Sequence, residues 1–143
     1  MFTTVDTMRW NELAEELALL DQRLAILVEA MQQGSRADDS LAPFRGLVVS
    51  DEEALLLSQS DESLLTGDVA DRIRAAAPEK PAGAGLLDRL AQRFGLTPVD
   101  RLALVACLAA ELDRKYEKLY GYLQDDVTRR RPTPGLLLDL AGL

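Results

Sequence analysis

There is no histidine in this sequence and a single cysteine, Cys107. The first absence removes the usual zinc ligand, the usual general base and the side chain that changes charge near neutral pH. The second excludes any disulfide within the chain, which suits a reducing compartment. Cys107 lies inside the apolar stretch LALVACLAAEL and reads as a small buried hydrophobe, not a reactive thiol. Aromatic residues make up only 5% of the chain and β-branched residues are sparse, so Leu and Ala set the propensity and favour helices. No apolar run approaches the roughly 20 residues that span a bilayer, and the opening MFTTVDTMRW lacks the apolar centre of a secretory signal. A cytoplasmic location is therefore expected. A phosphate-binding loop is also lacking, because no Gly-Lys pair occurs anywhere. No catalytic, cofactor-binding or metal-ligating residue is assigned, and no enzymatic turnover is expected of this chain.

What is present fits one domain of 143 residues with a core large enough to stand without staples. The net charge is −8 and unevenly spread. Residues 1–77 carry 15 acidic and 6 basic side chains, whereas residues 78–143 carry 9 acidic and 10 basic. An acidic first half repels phosphate backbones and disfavours broad nucleic-acid contact. The fold class expected is all-α, a bundle-like arrangement of several helices with a long first one.

That first helix, RWNELAEELALLDQRLAILVEAMQQ, is expected to be capped by Asp6 or Thr7 and ended by Gly34. Trp10, Leu13, Leu17, Leu20, Leu24, Leu27 and Met31 alternate spacings of three and four, an a/d seam that marks a candidate assembly surface. Leu19, Ile26 and Val28 widen the stripe, which points instead to packing within the same domain. SRADDSLAPFRG reads as a loop, and Leu47-Val48-Val49 as a short extended piece or an anchor. Ser50 to Glu53 forms a capping-box pattern ahead of ALLLSQSDESLL. Gly67-Asp68 opens the short helix DVADRIRAAA, stopped by Pro78. PEKPAGAG, within 78–85, is the strongest linker candidate, dividing 1–77 from a compact helical segment at 86–143.

The segment 86–143 carries the clearest punctuation. Gly95 after LLDRLAQRF reads as a left-handed C′ residue with Leu96 folding back. Thr97-Pro98 reads as N-cap and N1, and Asp100 favours the dipole of the helix that follows. That helix is apolar on most sides (Leu102, Leu104, Val105, Leu108, Leu112) and should be central to the core. Asp113 caps the next turn, where Tyr116, Leu119, Tyr120 and Leu123 share one face. Asp125-Asp126 and Arg129-Arg130-Arg131 form a polar connection before Thr133-Pro134 opens a last helix.

Asp125 and Asp126 are adjacent, so their carboxylates do not converge on one point, and capping or charge pairing is the expected role. Arg129, Arg130 and Arg131 are candidate interaction residues, for phosphate or as an arginine finger to a neighbouring ATPase. Pairing with Asp125, Asp126 or the acidic first half is the plainer reading, since three consecutive side chains do not face one ligand. Tyr116 and Tyr120 belong to the core face, which leaves Tyr122 as the surface candidate.

FGLTP and AAELDRKYEKLYGYLQDDVTRRRPT, with PFRGLVVSDEEALLL upstream, resemble the N-terminal region of a family of bacterial AAA+ ATPases. Members of that family often accompany phage-tail-like contractile injection systems, and in them this helical region, with a winged-helix variant, precedes the ATPase module. The resemblance implies an accessory domain for partner recognition or subunit assembly, with ATP bound by the parent protein and no cofactor in this chain. The partner would be another protein or the parent's own ATPase module, with no membrane and nucleic acid disfavoured. A winged-helix-type nucleic-acid binder using the arginine run, or a stand-alone helical adaptor that self-associates through the first helix, are the alternatives.

Overall fold

The computed structural model describes residues 4–37, 65–76 and 85–143. Among them are six helices and no strand: α1 (Thr4–Ala37), α2 (Gly67–Ala75), α3 (Leu86–Phe94), α4 (Pro98–Leu112), α5 (Arg114–Leu123) and α6 (Pro134–Ala141). The all-α expectation with a long first helix is met. The pieces expected at Leu47–Val49, Ser50–Glu53 and 54–64, and nearly all of the 78–85 linker, lie outside the described residues.

Local chemistry sets most helix ends. Gly95 adopts the left-handed conformation (φ 63°) and the Leu96 amide donates to the Ala91 carbonyl at 2.9 Å, so α3 stops as anticipated. The Thr97 hydroxyl accepts from the Asp100 amide at 3.2 Å, and the Asp100 carboxylate accepts from the Thr97 amide at 2.8 Å, a reciprocal capping box. Asp113 caps α5 through the Lys115 amide at 2.8 Å, and Thr133 caps α6 through the Leu136 amide at 3.4 Å. α1 departs from the expectation at both ends. It begins at Thr4, upstream of Asp6 and Thr7, in a run of capping-type residues that singles out no start. It also continues through Gly34 to Ala37. Glycine costs a helix only about 1 kcal/mol relative to alanine, and the remaining 30-odd residues carry it.

One core runs through all six helices. Leu20, Leu24 and Leu27 of α1 meet Val69 and Ile73 of α2, Leu87 of α3, Val105 and Ala109 of α4, Tyr116, Tyr120 and Leu123 of α5, and Leu136 and Leu140 of α6. The middle of the seam is thus buried in the chain's own core, with Leu17 and Met31 packed at its margins, while Trp10 is 54% exposed.

The helix expected to be apolar and central is central on one side only. α4 buries Val105, Ala106, Ala109 and Ala110, whereas Leu104, Leu112 and Cys107 are exposed, so Cys107 is not the buried hydrophobe its neighbours suggested. The buried side is built of alanines, which let another helix come close. Tyr120 uses that closeness: its hydroxyl donates to the Ala106 carbonyl at 2.7 Å. Burial raises both the Tyr120 and the Tyr116 phenol above their ordinary value.

Polar contacts beside the seam tie α1 to the rest. Glu12 accepts from the Leu86 and Leu87 amides (2.8 and 3.2 Å), capping α3 from another helix, since Gly85 offers no side chain. Glu16 pairs with Arg101 of α4, which also holds Asp88 of α3 at 2.5 Å. Asp88 is buried, and a buried carboxylate needs such a partner. Asp21 accepts from the Tyr116 hydroxyl (2.8 Å) and pairs with Lys115 (3.0 Å). Arg23 donates to the Leu140 carbonyl (2.9 Å) and the Ala76 carbonyl (3.1 Å), at the C-terminal ends of α6 and α2. Glu29 pairs with Arg72 of α2 at 2.7 Å.

Leu20→Asp places an unpaired charge where the seam is dry, at a cost of several kcal/mol out of a total near 5–15 kcal/mol. The variant is expected to lose its cooperative melt by circular dichroism, and the wild type to run as a monomer by light scattering. A variant that melts like wild type but forms a smaller particle would instead make α1 the assembly element.

Candidate interaction surface

The polar connection between α5 and α6 starts where Gln124 leaves the last turn of α5. Asp125 follows in the left-handed region (φ 50°), which a short polar side chain tolerates better than most. The chain then folds back on Gly121, close enough that a Cβ there would sit 3.2 Å from the Asp126 carbonyl oxygen. Glycine at 121 therefore lets the turn lie close against α5, and the Asp126 amide donates to the Gly121 carbonyl at 2.9 Å.

Side chains then fix the turn. Asp126 Oδ1 accepts from the Thr128 amide (2.9 Å) and hydroxyl (2.6 Å). Those two donors, then the charge of Arg129, hold the Asp126 carboxyl below the usual carboxylate range. Gln124 is the hub. Its Nε2 donates to the carbonyls of Tyr120 (3.1 Å), Arg129 (3.2 Å) and Arg131 (3.0 Å), and its Oε1 accepts from the Thr133 amide (2.9 Å). One amide side chain thus satisfies both strands of the connection and delivers Thr133 to its capping position. Its role left no local sequence signal, because all but one of its partners lie five to nine residues on.

The three arginines are not equivalent. Arg129 pairs with Asp126 at 3.3 Å. Arg131 pairs with Glu117 at 2.9 Å and Glu111 at 2.8 Å, which raise its already high pKa. These carboxylates belong to α4 and α5, not to the acidic first half of the chain as the charge distribution suggested. Arg130 is exposed and has no ion-pair partner among the described residues. Tyr122, in the last turn of α5, is 42% exposed and Val127 is 86% exposed, so an aromatic and an aliphatic side chain reach solvent near the exposed arginines. Glu117 and residues 128–134 line an open depression beside them. Trp10, at the outer end of the seam, belongs to a different helix and is not held to this surface by any contact described.

Among the described residues no group of Cys, Asp and Glu is arranged to hold a metal ion, and no helix is long and apolar enough to cross a membrane. Arg101 lies between Glu16 and Asp88 and serves packing. A family model described as winged helix domain, variant, matches residues 9–142. No curated protein and no solved structure matches the chain.

Gln124→Ala removes the hub and is expected to cost about 1–2 kcal/mol. Amide exchange should quicken at Asp126, Arg129 and Thr133 while the α1 core keeps its protection. Thr128→Ala removes the hydroxyl donor, so the Asp126 carboxyl should titrate closer to the ordinary carboxylate value than in the wild type. The turn is then tightest above that ordinary value and loosens as pH falls through the depressed one. Side-chain NMR titration of Asp126 in both proteins measures the difference.

Proposed function

The chain belongs to the winged helix domain, variant, family, and from that premise we propose that it is a non-catalytic helical recognition domain working beside an AAA+ ATPase module. It binds a protein partner, or the ATPase module of its own parent chain, in a cytoplasmic setting. The motifs FGLTP and AAELDRKYEKLYGYLQDDVTRRRPT support the AAA+ association, and with it a place in a contractile injection system.

The observation that carries the recognition role is the state of the arginine run. Arg129 and Arg131 are engaged by Asp126, Glu111 and Glu117, leaving Arg130 as the one arginine of the run without an ion pair among the described residues, on a chain of net charge −8. Duplex binding draws its affinity from many phosphate contacts, and a single cation supplies little of it. An interface between proteins asks for something else, namely a few large side chains and an arginine on a firm support. Tyr122 and Arg130 match that description, and Val127 adds exposed apolar area on the turn. The nucleic-acid reading, which the family's winged-helix description accommodates, rests on the arginine run, of which Arg130 alone lacks an ion pair among the described residues.

Three measurements test the proposal. ATP titrated into the chain should release no binding heat, since no Gly-Lys loop is available for the phosphates. Duplex DNA bound at low salt should be lost at physiological salt, and sequence-selective binding that survives there would put the nucleic-acid reading first. Sequencing the coding region past Leu143 should reveal a G-x-x-x-x-G-K-[ST] loop, whose absence would remove the AAA+ association.

A further inference from the structure

The turn between α5 and α6 is more firmly held than a connection of its length needs. Gln124 ties it to α5 on one side and to α6 on the other, Asp126 closes its tip, and Arg131 is clamped by two carboxylates from two helices. The side chains at 127 and 130 take no part in any of this. Val127 projects almost wholly into solvent from a backbone that lies close against Gly121 of α5. Arg130 is exposed in the same connection, and Tyr122 is exposed in the last turn of α5.

We infer that this turn is the contact element of the domain, and that its partner is a peptide segment in which an aspartate or glutamate stands next to an apolar side chain. The inference rests on the protein-recognition reading and names the surface and the partner's chemistry. A fixed turn loses little entropy on binding, so even a small contact retains most of its favourable energy. Tyr122 and Val127 supply the apolar contact. Arg130, the arginine of this turn without an ion-pair partner among the described residues, takes the carboxylate. Arg129 and Arg131 are neutralised within the fold, so a chain of phosphates finds too few cations here. A second copy of the chain is disfavoured by the repulsion of two bodies of charge −8.

Short random peptides displayed on phage and selected on the whole chain at physiological salt provide the probe. The enriched sequences should share a carboxylate beside an aliphatic or aromatic residue. A synthetic peptide of that consensus should bind roughly threefold more weakly to Arg130→Ala, as for an exposed ion pair, and about tenfold more weakly to Arg130→Glu, where attraction becomes repulsion. Val127→Ser should also weaken it, and selection on the Arg130→Glu protein should return Lys or Arg at the carboxylate position. Both side chains are exposed and make no side-chain hydrogen bond or ion pair among the described residues, so the variants should keep the wild-type circular dichroism. Peptides that bind all these variants equally would overturn the turn as the contact element while leaving protein recognition in place. A selection that enriches nothing, together with duplex DNA retained through Arg130 at physiological salt, would overturn both.

Discussion

Glu12, Glu16, Asp21, Arg23 and Glu29 lie along one helix, and between them they reach every other helix described. That arrangement is the constraint on which the architecture depends. An apolar seam alone lets its neighbours slide or turn, because dispersion and burial are nearly indifferent to register. A carboxylate on the first amides of α3, or a guanidinium shared between the carbonyl ends of α2 and α6, has a single satisfactory position. Leu20, Leu24 and Leu27 provide the attraction, and the flanking polar residues choose the register. Polar residues flanking a coiled-coil seam choose partners in the same way, except that here the partners are parts of the same chain.

The consequence for function is that the surface is formed by what α1 does not touch. α4 turns its alanines inward to receive Tyr120 and its leucines partly outward. α5 has Tyr116 and Tyr120 on the core side, so Tyr122 falls on the outside. The arginine run follows the α5 end and would make a basic edge if it were free. Glu111 and Glu117, one from each preceding helix, prevent this by engaging Arg131. A family associated by description with the winged-helix architecture thus presents, in this chain, a nearly neutral edge with apolar character.

What could be read from the sequence was what is local. Gly95, Thr97-Pro98, Asp113 and Thr133-Pro134 act within a few residues of themselves, and each ends or begins a helix as its type dictates. The seam was legible because periodicity is a local property. Gly34 misled because a single glycine in a long helix is a small penalty, outweighed by the turns around it. α4 misled because apolar content does not say which side is covered; alanine counts as apolar, yet it permits close approach where leucine would not. The hub at Gln124 and the clamp of Arg101 on Glu16 and Asp88 were not legible at all, since a polar residue does not announce a distant partner. Pairing was the plainer reading of the arginine run and Arg129 meets Asp126 accordingly, but the partners of Arg131, Glu111 and Glu117, gave no signal of their own.

The order of the elements along the chain adds a temporal consequence. α1 is made first, whereas its ties lead to residues 72–140. At ordinary elongation rates the rest of the chain follows on the order of ten seconds later. Throughout that interval the leucines of the seam stand ready for any neighbour, including the same helix on an adjacent nascent chain. The residues that later fix register offer no protection then, because their partners do not yet exist. Glu12, Glu16, Asp21 and Glu29 still carry their charge, and like charges keep two such helices apart in water. The acidity of the first half thus acts before folding as a built-in deterrent to premature pairing, and the same residues become structural contacts once the C-terminal helices emerge.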